Sequence, residues 1–151
     1  NGFEISLAYG EGKSDIDIYR LGLKKDYGLE WFKRDFGYLS GFFELSYNYW
    51  HYRSEDIHGI TLSPIFAYYL GKSTDFFRPY IAGGIGAALL DKYHIKDRNL
   101  GSNLQFEDRI GIGAVIGWLD INCSFFHYSN AGLTPPNAGI DIWLFSGTFR
   151  F

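Results

Sequence analysis

Residues 103–118 read NLQFEDRIGIGAVIGW, and two kinds of side chain alternate along this stretch. Apolar and aromatic residues occupy most of the even-numbered positions, whereas the odd-numbered positions include Gln105, Glu107, Arg109 and several glycines. A repeat of two places successive side chains on opposite faces of an extended chain. The stretch is therefore predicted to be a β-strand with one apolar and one polar face.

The same alternation recurs along the rest of the chain, between turn-forming residues. No segment keeps a helical repeat for more than a turn or two, and no linker divides the chain, so we predict a single domain over residues 1–151. In the second segment Ile16 and Ile18 are out of phase with Tyr19, which predicts a bulge or a misplaced boundary. The eight predicted strands cover residues 2–11, 15–26, 37–51, 59–70, 77–90, 103–118, 120–130 and 139–151.

Closing eight antiparallel strands into a barrel removes every unpaired edge. The aromatic face is too bulky for the lumen of so small a barrel, whereas glycines and mixed charges such as Glu107 and Arg109 fit there. We therefore predict an all-β fold, an eight-stranded antiparallel up-and-down transmembrane β-barrel with its apolar face toward lipid. The opposite orientation would give a soluble ligand carrier, but the last strand, which ends on Phe149 and Phe151, resembles the aromatic terminus of bacterial outer-membrane barrels.

Composition excludes several classes of function. The net charge of -3 provides no basic field for nucleic acid. Cys123 is the single cysteine, and His51, His58 and His94 lack the spacing of metal ligands, so neither a disulfide framework nor a metal site is predicted.

Three polar residues fall on the lipid-facing parity near the end of the last hairpin: His127, Ser129 and Asp141. Positions 127 and 129 are two apart on one strand face, about 6.8 Å between Cα atoms. If the hairpin is symmetric about Thr134, His127 lies opposite Asp141 with Cβ atoms about 4.5–5.5 Å apart. The pattern predicts a Ser-His-Asp constellation, in which the histidine takes the serine proton and the aspartate orients the ring.

The residues beside this constellation suggest supporting roles. The Asn130 side chain and a backbone N–H near Gly132 are placed to hold a developing oxyanion. Phe106 on the neighbouring strand either packs against lipid on the outer face or lines an acyl-chain groove. The site would lie where the barrel meets the outer leaflet, which predicts a lipid substrate. The alternative is a set of interfacial polar residues without catalytic function, because polar groups near the membrane boundary cost only about 0–1 kcal/mol.

The segment His127-Tyr128-Ser129-Asn130-Ala131-Gly132-Leu133, followed by Pro136-Asn137, Gly139-Ile140 and an acidic residue, resembles the hallmark of the lipid A 3-O-deacylase (PagL) family. Residues 99–102, 106–111 and 19–23 are similar to that family as well. The resemblance is dense from about residue 77 to residue 141.

This resemblance implies an outer-membrane esterase that removes the 3-O-linked acyl chain of lipid A in lipopolysaccharide, without metal or organic cofactor. Ser129 would be the nucleophile, His127 the base and Asp141 the orienting acid, at a position where the family pattern has glutamate. The resemblance also implies that Asn130 and Gly132 help to hold the oxyanion and that Phe106 supports the site. It leaves open whether the protein forms a homodimer.

Two other classes remain open on the sequence. One is a non-catalytic outer-membrane barrel that acts as an adhesin or a structural protein, although the predicted outer loops are modest in length. The other is an acyl enzyme that resembles the lipid A palmitoyltransferases and holds an acyl chain inside the lumen. The outward parity of the reactive groups argues against an interior acyl-chain site.

Overall fold

In the computed structural model, which describes residues 2–12 and 15–150, eight long strands form one closed antiparallel sheet. Each long strand pairs with the long strands before and after it in the chain, and the first and the last long strands pair with each other to complete the circle. The long strands are β1 (Phe3–Gly12), β2 (Ile16–Asp26), β4 (Gly37–Tyr52), β5 (Glu55–Leu70), β6 (Phe77–Leu90), β9 (Leu104–Ile116), β10 (Leu119–Ser129) and β11 (Ile140–Arg150). The predicted eight-stranded up-and-down barrel is confirmed.

Three short strands lie in connections that the sequence analysis treated as loops. Strand β3 (Trp31–Arg34) pairs with the start of β4, and β7 (His94–Ile95) pairs with β8 (Arg98–Asn99) to form a small hairpin of its own. Strand β5 begins four residues earlier than predicted, because a tight turn with Arg53 at a positive φ of 54° joins it to β4. No helix long and apolar enough to cross a membrane occurs within residues 2–12 and 15–150.

The outer surface of the barrel is apolar. Leu7 on β1, Ile112 on β9 and Phe145 on β11 expose 55%, 65% and 67% of their surface. These residues have the parity predicted to face outward, and a barrel surrounded by lipid needs such a surface. The terminal Phe151 of the predicted aromatic ending lies outside the described residues.

The lumen is filled in three layers rather than being polar throughout. Its middle holds a charge network in which Arg20 and Arg109 each contact both Glu44 and Glu107. The contact between Arg109 and Glu107, 3.1 Å, is the ion pair that their shared face suggests. An apolar cluster closes each end of the lumen. The residues of both clusters are buried, and together they form the hydrophobic core of the barrel.

The bulge predicted in the second strand is wrong. Strand β2 pairs with β1 in one continuous register, from Lys25 opposite Phe3 to Ile16 opposite Gly12. Ile16 and Ile18 are fully buried because they point inward, into the apolar cluster at the loop end of the lumen that also contains Trp50. Their parity differs from that of Tyr19 because the lumen is apolar at this height.

Candidate active site

The hairpin of β10 and β11 carries the three predicted site residues, and its register is continuous. The two strands pair from Leu119 opposite Phe149 to Tyr128 opposite Ile140, without a bulge. His127 lies directly opposite Asp141, as symmetry about Thr134 predicts. Two residues 14 positions apart in sequence are thereby brought to one height on one face of the sheet.

His127 and Asp141 form a hydrogen-bonded pair on the outer face of the barrel. Nδ1 of His127 lies 2.6 Å from Oδ1 of Asp141, and the two side chains are 43% and 46% exposed. Because a carboxylate can only accept, the hydrogen-bond network assigns the proton of the pair to Nδ1. In the neutral ring the lone pair is then left on Nε2, which is the tautomer that a general base requires.

Ser129 follows on the same face at the end of β10, opposite Phe106 of β9. Its hydroxyl makes no hydrogen bond to any residue that the structure describes. The imidazole of His127 extends toward this height: a Cβ built on Gly139, the next position along β11 beyond the Tyr128–Ile140 pair, would lie 3.2 Å from Cε1 and 3.7 Å from Nε2. The Cε1–Nε2 edge of the ring thus lies near the level of residue 139, which is the level of Ser129.

Asn130 is fully buried, and its amide is used within the loop. The Nδ2 group donates to the carbonyl oxygens of Thr134 (2.6 Å) and Leu100 (3.1 Å), and Oδ1 accepts the backbone N–H of Gly132 (2.9 Å). Ala131 and Gly132 have positive φ values of 55° and 76°, and the Asn130 side chain supplies hydrogen bonds within the turn that they form. The two groups predicted to hold the oxyanion are bonded to each other here, and their oxyanion role stays a prediction.

Phe106 and Asp108 lie on β9 beside the reactive pair. Phe106 is opposite Ser129 and Asp108 is opposite His127, so the histidine has a carboxylate on each flanking strand. The sequence analysis missed Asp108. The signal was available, since a carboxylate at this position interrupts an otherwise apolar outward face.

A second loop contacts the hairpin that carries the three predicted site residues. Nε of Arg98 donates to the carbonyl of Gly139 (2.7 Å) and Nη2 to that of Ala138 (2.5 Å), while the N–H of Ala138 donates to the carbonyl of Asn99 (3.2 Å). Gly101 lies so close to this loop that a Cβ would be 1.8 Å from the carbonyl oxygen of Pro136. The β7–β8 hairpin is therefore a clamp on residues 136–139.

The inner side of β10 is anchored in the lumen through Tyr128. Tyr128, between His127 and Ser129 in sequence, points into the lumen and is fully buried. Its hydroxyl donates to Glu107, which Arg20 contacts at 2.6 Å from across the lumen. Hydrogen bonds to a charged partner are stronger than neutral ones, so this contact fixes the strand that carries the reactive side chains.

No group of three or more His, Cys, Asp or Glu side chains in the described part of the chain has the geometry of a metal site. His51 pairs instead with Asp56 at 2.5 Å, and His58 contacts Tyr47, both on the β4–β5 hairpin. Cys123 is a free, partly buried thiol on β10. None of these residues takes part in the arrangement around His127.

Comparison with known proteins points to one family. A family model described as "Lipid A 3-O-deacylase (PagL)" matches residues 17–149. The chain is 37% identical over 141 residues to the lipid A deacylase PagL of Pseudomonas aeruginosa, covering 91% of this chain and 80% of that protein. It is 32% identical over 156 residues to the lipid A deacylase PagL of Bordetella bronchiseptica, with 97% and 83% covered.

A solved structure described as the outer membrane enzyme PagL superposes on the barrel with a TM-score of 0.92. The two chains are 34% identical, and the match covers 98% of this chain and 99% of that one. The likeness therefore extends over the whole barrel and its loops.

Proposed function

Because this chain belongs to the lipid A 3-O-deacylase (PagL) family, we propose that it hydrolyses the 3-O-linked acyl ester of lipid A with Ser129, His127 and Asp141 on the outer face of the barrel. The protein is a carboxylic ester hydrolase of the bacterial outer membrane, and its substrate class is lipid A. The observation that carries the assignment of residues is the 2.6 Å contact between His127 and Asp141, two polar groups on a mostly apolar surface.

The reaction is a two-step acyl transfer. Nε2 of His127 takes the proton of the Ser129 hydroxyl while Oγ attacks the ester carbonyl, and Asp141 stabilises the imidazolium that forms. The imidazolium then gives its proton to the departing sugar oxygen, which leaves an acyl-serine and a lipid A with a free hydroxyl. In the second step His127 deprotonates a water molecule that attacks the acyl-serine, and the products are a fatty acid and regenerated Ser129.

Aspartate is long enough for the orienting role in this hairpin. Its side chain is one methylene shorter than that of glutamate, yet direct cross-strand pairing with His127 gives a short hydrogen bond. The carboxylate holds the Nδ1–H and thereby keeps the Nε2 lone pair directed toward the level of Ser129.

The loop that follows the nucleophile supplies the hydrogen-bond donors for the oxyanion. The backbone N–H of Gly132 and the side-chain amide of Asn130 are the donors nearest to Ser129 in sequence. In the reaction the Gly132 N–H releases Asn130 Oδ1 and donates to the negatively charged oxygen of the intermediate. Phe106, opposite Ser129 on the outer face, borders the acyl chain of the bound ester. Farther along β11, Trp143 and Phe145 are exposed apolar side chains that suit the remaining acyl chains of the lipid.

A palmitoyltransferase-like reaction with the acyl chain inside the lumen is disfavoured by the packing of the interior. The cavity among the lumen charges, lined by Arg20, Glu44 and Arg109 among others, has a volume of about 20 Å³. A space of that size holds a water molecule or two but no acyl chain.

The assignment is tested by replacing the reactive groups. Ser129→Ala and His127→Asn are each expected to lower fatty-acid release by more than about 10³-fold, because the serine and the histidine act as one unit. Release is measured by mass spectrometry of lipid A after incubation with purified protein in detergent. Far-ultraviolet circular dichroism checks that the barrel is intact.

Ser54→Ala, in the turn between β4 and β5 and therefore outside the hairpin that carries Ser129, is the matched control and should leave release unchanged. Normal release of the 3-hydroxy fatty acid by the Ser129→Ala protein would remove Ser129 as the nucleophile.

A further inference from the structure

Arg98 is held against the catalytic loop by two hydrogen bonds. Its Nε and Nη2 groups donate to the carbonyl oxygens of Gly139 and Ala138, at 2.7 Å and 2.5 Å. The hairpin that carries it is fixed in turn, because Asn130 donates to the Leu100 carbonyl at 3.1 Å. The guanidinium therefore has a defined position rather than the freedom of a surface side chain.

That position adjoins the reactive pair. Gly139 contacts Arg98 through its carbonyl, and its Cα faces the imidazole, since a Cβ there would lie 3.2 Å from Cε1 of His127. Gly139 is also level with Ser129 along the hairpin. The guanidinium and the imidazole thus flank one residue, with the guanidinium on the loop side, beyond the strand ends.

The positive charge of Arg98 is not neutralised within the described chain. Arg20, Arg109 and Arg150 each have a carboxylate partner, whereas Arg98 forms no ion pair with any described residue. A guanidinium has five N–H donors, and the two carbonyl contacts use two of them. Three donors and a full charge remain for a ligand.

We propose that Arg98 binds the phosphate on the sugar that carries the scissile ester, and so selects phosphorylated substrates. The inference rests on the proposed function, because it takes the ester carbonyl to lie at Ser129. With the acyl chain along the apolar outer face, the sugar extends beyond the strand ends, where Arg98 lies. A planar, fixed guanidinium matches a phosphate better than a flexible ammonium does.

The test compares two soluble substrates in a neutral, phosphate-free detergent: a 3-O-acylated glucosamine 1-phosphate and the same compound without phosphate. Wild-type protein is expected to prefer the phosphorylated substrate by about tenfold or more in kcat/KM, mainly through KM, since hydrogen bonds between charged groups have this magnitude. Arg98→Gln is expected to remove the preference, so that the two substrates are hydrolysed at equal rates, whatever loss of rate common to both follows from the two missing loop contacts.

Equal activity of wild-type protein on both substrates would overturn the proposal, even if the variant failed to fold. An Arg98→Gln protein that loses activity on both substrates by the same factor would also overturn it, because Arg98 would then act on the loop alone. Arg53→Gln, which removes another outer arginine stacked on Tyr52, is the control and should keep the preference.

Two further measurements distinguish binding of the substrate phosphate from binding of neighbouring lipids, and failure of this inference from failure of the proposed function. Added anionic phospholipid should not change the wild-type preference if the phosphate belongs to the substrate; abolition of the preference would assign Arg98 to neighbouring lipids and overturn the proposal. Ser129→Ala should lose release from both substrates, so a failure of the proposed function differs from a failure of this inference.

Discussion

Asp141 and His127 form their contact because the register of the hairpin leaves no offset between them. Direct pairing brings the two Cβ atoms within reach, and the hydrogen bond of 2.6 Å then depends on one short side chain. Gly139 contributes by lacking a Cβ at the place that the imidazole occupies. The geometry of the pair therefore depends on the backbone at residues 127, 139 and 141 as well as on the two side chains.

At the scale of single residues, Asp141→Asn should lower kcat by about 10²-fold, less than the loss of Ser129. An amide still accepts the Nδ1–H through its oxygen, but it does not stabilise the imidazolium. Asp141→Glu is the matched control and should keep most of the activity, because it retains the charge. Single-turnover release measured on both proteins decides: wild-type rates for Asp141→Asn would show that residue 141 is not the orienting acid.

The β7–β8 hairpin and the residues after it contact the loop that follows Ser129. Arg98 and Asn99 hydrogen-bond residues 138 and 139, and the backbone of Gly101 lies under Pro136. None of these contacts involves the long strands of the barrel. We therefore expect that this loop can be displaced without unfolding the sheet.

Gly101→Ala tests this element. A Cβ at residue 101 would lie 1.8 Å from the Pro136 carbonyl oxygen, and φ is 85°. Because displacements of about 1 Å cost up to about 10²-fold in rate, we expect a 10- to 100-fold loss of kcat with little change in the thermal midpoint of the barrel.

Gly28→Ala is matched for backbone strain, since Gly28 has φ of 71°, but it has no atom within 4 Å of a built Cβ. It should keep full activity. If Gly101→Ala and Gly28→Ala had the same rate, the clamp would have no part in catalysis.

At the scale of the whole molecule, the barrel inverts the arrangement of a water-soluble protein. Charged groups such as Arg20 and Glu107 form ion pairs inside, where small residues leave room for them. Leucine, isoleucine and aromatic side chains cover the outside. The residues proposed to react lie on that apolar surface, where a lipid would reach them without leaving the plane of the membrane.

Ile112→Arg should measure this inversion directly. Ile112 lies in the middle of β9 and is 65% exposed, so an arginine there faces the hydrocarbon and should lower the free energy of unfolding by about 2–4 kcal/mol. Leu29→Arg, exposed in the connection between β2 and β3, is the control and should cost about 0–1 kcal/mol. Unfolding by urea in phospholipid vesicles compares the two, and equal costs would contradict a lipid-facing exterior at Ile112.

The fold and the reactive pair could be predicted from the sequence because both depend on local order. Period-two alternation assigns each side chain to a face within its own strand, and a hairpin brings residues 127 and 141 together through a short connection. The family motif added the chemistry, and similarity to known lipid A deacylases supports the family assignment. Asp108 could also have been found in this way, since it breaks the apolar outward face of β9.

Only the tertiary structure determined which contacts the loops make. Asn130 has the composition of an oxyanion donor, but the carbonyls that it binds belong to Leu100 and Thr134, and the first of these is 30 residues away. Ile16 and Ile18 appeared out of phase because an apolar layer in the lumen cannot be seen from one strand. Side-chain alternation along a strand is a local property, whereas contacts between loops and layers inside a closed barrel depend on segments that meet only after folding.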